Sequence, residues 1–344
     1  MPHAGGMTLP ENDLPTDLIR AIAARAFGAT DVLQRVRPIA GGTVNTALLL
    51  ERVAAPPAIL RIAPSVAVAE AGPSWLTPWG LRREQAVIAL LPHLGHLLPL
   101  TIHVDFSHTL IDRDWVVQGL VRGEPWSDVT SARRLTNEQE RDLWRQTGAL
   151  TRAIHDVRGD HFGAPGAAET GVRSADWSSI VEADARGLLD DAGRFALSAA
   201  VPVLERLAQA IKHHRGELDA VTTPSLIHSD LDPRHIFIAP DEAGRFRITG
   251  LIDLEFGRFA DPRSESLIVG LALDPPLATY HHAFWEGYGP FPEPSGSEVR
   301  ARIYQAISLG WTLTDLARLG QHAGIPAVAT RLQNLLDRLD AGSG

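Results

Sequence analysis

Leu226-Ile227-His228-Ser229-Asp230-Leu231-Asp232-Pro233-Arg234-His235-Ile236-Phe237-Ile238 reads as two short apolar strands closed by a polar loop. The loop places two carboxylates and two histidines between His228 and His235. Core strands at both ends hold such side chains rigidly, which a catalytic loop requires. The stretch Ile248-Thr249-Gly250-Leu251-Ile252-Asp253-Leu254-Glu255 follows, an apolar run ending on acidic residues.

Asp253 and Glu255 offer oxygen donors of the kind a hard divalent cation such as Mg²⁺ prefers. Upstream, Ile39-Ala40-Gly41-Gly42-Thr43-Val44-Asn45-Thr46 lies between two strand-like runs. Paired glycines let a backbone approach a phosphate without Cβ clash, and they serve a plain hairpin equally well. Arg61 is the one charged residue in the apolar run Ile59-Leu60-Arg61-Ile62. Glu84, in the first turn of the next helical pattern, is its natural partner, as an ordinary ion pair or as part of a nucleotide site. Phosphoryl transfer would give all these groups work: an Asp for the acceptor hydroxyl, metal ligands, a glycine turn and a buried cation.

Composition narrows the alternatives. The chain has 344 residues, 44% of them hydrophobic and 21% charged, which suits two linked globular lobes. A formal net charge of −9 disfavours nucleic acid and anionic membrane as partners. There is no cysteine, so disulfides, thiolate metal sites and cysteine nucleophiles are excluded. The 32 basic residues include a single lysine, Lys212, flanked by Ile211 and His213, so no Gly-Lys-Ser/Thr phosphate loop exists. Met1 to Pro10 carries no basic start and no apolar core, and Val87 to Leu100 is too short and too interrupted to span a bilayer. The expectation is a soluble cytoplasmic protein.

Periodicity predicts a helix over Leu14–Phe27, two strands within Val36–Val53, a third over Ala58–Ile62 and a loop from Ala63 to Gly80. A helix over Leu81–Leu91 follows, then strands at Leu100–Val104, Thr109–Ile111 and Trp115–Leu120. Beyond Gly123-Glu124-Pro125 the pattern turns helical, over Asn137–Ile154, Trp177–Leu189 and Pro202–His214, and from Asp261 to Leu339. Strands first and helices later predict an α+β architecture in two lobes joined near Val121 to Gly123.

With these residues in place, the chain resembles the aminoglycoside phosphotransferase and choline kinase-like family. Its His-Gly-Asp-x-x-x-x-Asn loop matches His228 to His235, its Ile-Asp-x-Glu segment matches Ile252 to Glu255, and Ala260-Asp261-Pro262-Arg263-Ser264-Glu265 approximates its Gly-Asp-Pro-x-x-Asp pattern. The resemblance covers Leu33 to Leu267. It implies a two-lobed protein-kinase-like fold, with a small antiparallel β-sheet lobe over residues 1–122 that binds nucleotide. A mainly helical lobe over 123–344 would carry catalysis and the acceptor.

The resemblance further implies a transferase moving the γ-phosphoryl of ATP or GTP to a hydroxyl of an antibiotic, an aminoglycoside, a macrolide or a related compound. Asp230 would be the catalytic base, and His235 and Asp253 would hold Mg²⁺. Gly41, Gly42, Thr43, Arg61, Glu84, Gln118, Gly119 and Leu120 would bind nucleotide. Asp232, Asp184 and Trp285 are candidates for acceptor binding, and the acidic balance suits a cationic antibiotic.

Two departures stand out. His235 replaces the usual metal-binding Asn, as in macrolide and some 2″-aminoglycoside phosphotransferases, and Arg61 replaces the usual Lys. A neutral imidazole can ligate a divalent ion, and Arg keeps the phosphate-binding charge. A metabolic small-molecule kinase acting on a sugar or amino alcohol fits the same motifs. A catalytically silent kinase-like binding protein is the third alternative.

Overall fold

The computed structural model describes residues 14–39, 44–291 and 296–341. The N-terminal part is built on five antiparallel strands: β1 (Leu33–Pro38), β2 (Thr46–Arg52), β3 (Ala58–Ile62), β4 (Thr101–Asp105) and β5 (Trp115–Gly119), in the order β1-β2-β3-β5-β4. The helix Thr16–Phe27 covers one face. Its Ile19 and Ile22 pack with Leu50, Leu60, Ile62, Trp115 and Val117 into one apolar cluster.

The period of two along β3 decides what reaches the opposite face. Ala58, Leu60 and Ile62 are buried, while Ile59 and Arg61 alternate to the other side. On the helix Gly80–Leu90 the buried residues Leu81, Glu84 and Val87 fall on one stripe, so Glu84 is carried inward with the apolar side chains.

Two expectations are corrected here. Ala63 to Gly80 contains a helix, Val66–Ala71, started by the Ser65 hydroxyl, which accepts from the Val68 backbone N–H. Thr109–Ile111 is not a strand: it lies in the connection between β4 and β5, which pair directly with each other. Ile111 instead turns back into the cluster beneath the first helix.

After β5 the chain crosses to a mainly helical part. Glu124–Pro125 pairs with the strand Ile236–Pro240, which also pairs with Phe246–Leu251. The helix Asn137–His155 begins with a reciprocal cap between Thr136 and Gln139 and packs on the helix His281–Tyr288. The helices Trp177–Arg194, Val201–His213, Ser297–Arg318 and Ile325–Ala341 enclose a second apolar core. No described helix is long and apolar enough to cross a membrane.

Candidate active site

The loop from His228 to His235 leaves the strand Ser225–Ile227, which pairs with Arg258–Ala260, and enters the strand Ile236–Pro240. Ile236 pairs with Leu251, and the Ile252 N–H donates to the His235 carbonyl at 3.0 Å. That register carries His235 and Asp253 to the same end of the sheet.

His228 holds the loop from beneath. It is fully buried, its Nε2 lies 3.1 Å from the Ile252 carbonyl, and the Asp230 N–H points at its Nδ1 at 3.3 Å. A carbonyl only accepts and an N–H only donates, so Nε2 carries the proton. Glu265 completes the brace by accepting from the His228 backbone N–H at 2.7 Å. Ser229 sits at φ 70°, in the left-handed region, where the family loop has glycine. Asp253 is also left-handed, at φ 67°, which turns its carboxylate out of the strand line.

Asp230, His235 and Asp253 offer ligand atoms that all lie within 4.8 Å of one another. His235 Nδ1 lies 2.8 Å from the Asp230 carbonyl and must donate to it. The neutral ring then presents a lone pair at Nε2, which faces Asp253 Oδ2 at 3.4 Å. One imidazole nitrogen and neighbouring carboxylate oxygens form a donor set that fits a divalent cation. Burial raises the Asp230 carboxyl above its ordinary value, and His235 and His228 partly offset that rise.

Arg61 faces this cluster from β3. Its Nη1 donates to Glu84 at 2.6 Å, and its Nη2 lies 3.3 Å from Asp253 Oδ1 and 4.0 Å from Glu255 Oε2. Burial works against the Arg61 cation, but Glu84, Glu255 and Asp253 outweigh it and raise its pKa. Glu84 is pushed up by burial, with Arg61 pulling the other way. Glu255 is pushed up to about 8 by burial and by the nearby Asp253. Asn45 donates to Glu255 Oε2 at 2.7 Å. Gly80, at the start of its helix, leaves room for that carboxylate: a Cβ there would lie 2.7 Å from Oε2.

These groups line one cleft of about 1340 Å³. Arg61, Gln118, Gly119, Leu120, Asp184, Asp230, His235 and Asp253 all face it, and Glu84 stands behind Arg61. Gly41, Gly42 and Thr43 lie outside the described residues. The structure does not bring Trp285 to the cleft; it packs against Phe284, Tyr288 and Phe291. Asp232 also turns away, paired with Arg234 at 2.7 Å. Asp184 faces the cleft, but Arg258 holds both its oxygens at 2.9 and 3.0 Å.

Sequence patterns did not single out Asn45, Arg83, Arg258, Trp75 or Trp311, all of which line the cleft. Arg83 had a usable signal, since it precedes Glu84 on the same helix and is turned about a third of a turn from it. The tryptophans gave none.

The sequence profile of the phosphotransferase enzyme family matches residues 35–301. No curated protein sequence is significantly similar to the chain. Among solved structures, a thermostable mutant of aminoglycoside phosphotransferase APH(4)-Ia superposes with a TM-score of 0.61 at 16% identity, over 94% of this chain and 99% of that one. The GDP and kanamycin complex of APH(2″)-IIIa gives 0.58 at 16% identity, over 95% and 99%. A candidate fructosamine-3-kinase from Thermobifida fusca gives 0.56 at 16%, over 91% and 99%. Likeness at these identities speaks for a shared fold.

Proposed function

The chain belongs to the phosphotransferase enzyme family, and on that premise we propose that it moves the γ-phosphoryl of ATP or GTP to a hydroxyl of a small molecule. The convergence of Asp230, His235 and Asp253 opposite the Arg61–Glu84 pair carries this reading. Residues 1–122 act as the nucleotide lobe and 123–344 as the catalytic and acceptor lobe. The nucleotide base is assigned to Gln118 to Leu120, and phosphate binding to Gly41, Gly42 and Thr43.

His235 Nε2 and Asp253 would hold Mg²⁺, which when bound supplies positive charge to the phosphate oxygens. Arg61, held by Glu84, presents a fixed cation to the same oxygens. Asp230 orients the acceptor hydroxyl and takes its proton as the oxygen attacks the γ-phosphorus in line. The new O–P bond forms as the bond to the β,γ-bridging oxygen breaks, and the nucleoside diphosphate leaves with that electron pair. His228 and Glu265 keep the Asp230 backbone in register from below.

Antibiotics and metabolites are both acceptor classes to be tested, since the solved structures of this fold include a kanamycin complex and a candidate fructosamine-3-kinase. The test is Mg²⁺-dependent thermal stabilisation by ATP and GTP, followed by transfer assays across both acceptor classes. Asp230→Ala should abolish transfer while leaving nucleotide-induced stabilisation in place. If neither nucleotide stabilises the protein and nothing is phosphorylated, the chain is a silent binding protein instead.

A further inference from the structure

The part of the cleft away from the Asp230–His235–Asp253 cluster has a charge pattern of its own. Asp184 and Asp315 both line the cleft already engaged, Asp184 by Arg258 and Asp315 by Arg318 at 3.1 Å. Arg83 lines the same region and contacts no carboxylate within 4.0 Å among the described residues. Its Nε donates to the Thr170 carbonyl at 2.8 Å. Burial pushes its pKa down to about 10, and the more distant Glu255 carboxyl offsets that only in part.

Arg258, near enough to Arg83 for the two cations to oppose each other, leaves its own Nε buried without a hydrogen-bond partner. Two guanidinium groups therefore have donor capacity to spare in one corner. Around them the wall is aromatic and apolar. Trp75 packs edge-on against Phe256, with ring centroids 5.7 Å apart, and Trp311, Ile307 and Val172 line the same space.

Carboxylates taken up by arginines offer a polyamine little, whereas a free guanidinium binds a carboxylate strongly when water is excluded. Resting on the phosphotransferase reading, we propose that the acceptor is an aromatic or otherwise flat apolar hydroxy compound bearing a carboxylate, received by Arg83 and Arg258. The hydroxyl then points toward Asp230, and the ring lies along Trp75, Phe256 and Trp311. The specificity of the cleft is thereby set against polycationic ligands.

The experiment measures binding of three matched probes to the full chain by calorimetry: phenyllactate, its amide, and the analogue with an amine in place of the carboxylate. Charge-assisted pairing predicts that the acid binds at least about tenfold more tightly than the amine, with the amide between them. Arg83→Gln should erase the preference of acid over amide, and Arg83→Lys should retain much of it. Arg258→Met, which leaves Asp184 unpaired, should move the preference toward the amine.

Tightest binding by the amine, equal binding of acid and amide, or no binding of any probe overturns the proposal. Melting curves confirm that each variant is folded, and Arg83→Lys carries the test if Arg83→Gln is not. Stabilisation by Mg²⁺ and nucleotide is recorded in parallel without any acceptor. An acid preference without nucleotide stabilisation would leave the anion site standing and remove the phosphotransferase reading. The opposite pattern would remove only the anion site.

Discussion

Arg61 Nη1 reaches both carboxylate oxygens of Glu84, at 2.6 and 2.5 Å, and Glu84 is fully shielded from water. Removing Arg61 strands the Glu84 carboxylate where water cannot reach it, whereas removing Glu84 leaves Arg61 at the cleft wall with its longer contacts to Asp253 and Glu255. Arg61→Met should lower stability by about 3–5 kcal/mol, and Glu84→Leu by less. The double variant should recover most of that loss, because no charge is then left alone. It should still fail to gain stability from ATP or GTP if Arg61 is the cation that receives the phosphates. Chemical denaturation of the four proteins, with and without nucleotide, measures both effects. Strict additivity of the two losses would show that the pair is not coupled.

His235 offers an imidazole nitrogen where the family loop carries an amide oxygen. Nitrogen ligands favour Mn²⁺ over Mg²⁺ more than oxygen ligands do. Nucleotide-dependent stabilisation should therefore saturate at lower Mn²⁺ than Mg²⁺, and His235→Asn should narrow that gap. His235→Ala should raise the concentration of either metal needed for saturation by at least roughly tenfold. The check is a metal titration read by melting temperature at fixed nucleotide. An unchanged Mn²⁺-to-Mg²⁺ ratio in His235→Asn would remove His235 from the ligand set.

Glu265 sets an acid limit. It accepts from the backbone N–H groups of His228 and Ser266, at 2.7 and 2.9 Å, and faces His155 Nε2 at 3.5 Å. Burial alone would raise its carboxyl, but His155 and His228 outweigh burial and the pKa lies below the ordinary 4.5. A folded value below the unfolded one contributes stability that is fully present above about 4.5 and is lost as pH falls through the folded value. Stability curves of the protein and of Glu265→Gln should thus diverge above pH 4.5 and converge at more acid pH. Parallel curves across that window would contradict the assignment.

The helices Asn137–His155 and His281–Tyr288 touch through their backbones at Gly148. A Cβ there would lie 2.0 Å from the Phe284 carbonyl oxygen. Helix propensity by itself would make Gly148→Ala stabilising by up to about 1 kcal/mol. The contact predicts the opposite sign, a loss of about 1–3 kcal/mol from overpacking. Urea denaturation gives the sign directly.

Much of the site was legible in residue order. Periodicity located β3 and the helix Gly80–Leu90, and the alternation along Ile59-Leu60-Arg61-Ile62 was enough to single out Arg61 and pair it with Glu84. The bracketed loop gave Asp230, and the acidic end of the next apolar run gave Asp253. Trp285 failed because helical spacing says which residues share a face, not whether that face meets a core or a cleft. Asp232 failed because a loop residue has no periodicity to orient it, and Arg234 two residues on claimed its carboxylate.

The sequence by itself therefore determined the two-part architecture, the strand cation with its helix partner, and the prominence of Asp230 and Asp253, because these follow from patterns within a few residues. Tertiary structure alone decided the rest. The His235 tautomer depends on where the Asp230 carbonyl points, and the meeting of Asp230, His235 and Asp253 depends on the register that pairs Ile236 with Leu251. The engagement of Asp184 by Arg258, 74 residues later, and the contact of Arg83 with the Thr170 carbonyl depend on chain segments that meet only in the folded protein. Charge compensation is a matter of distances of a few ångströms, and sequence separation does not fix those distances.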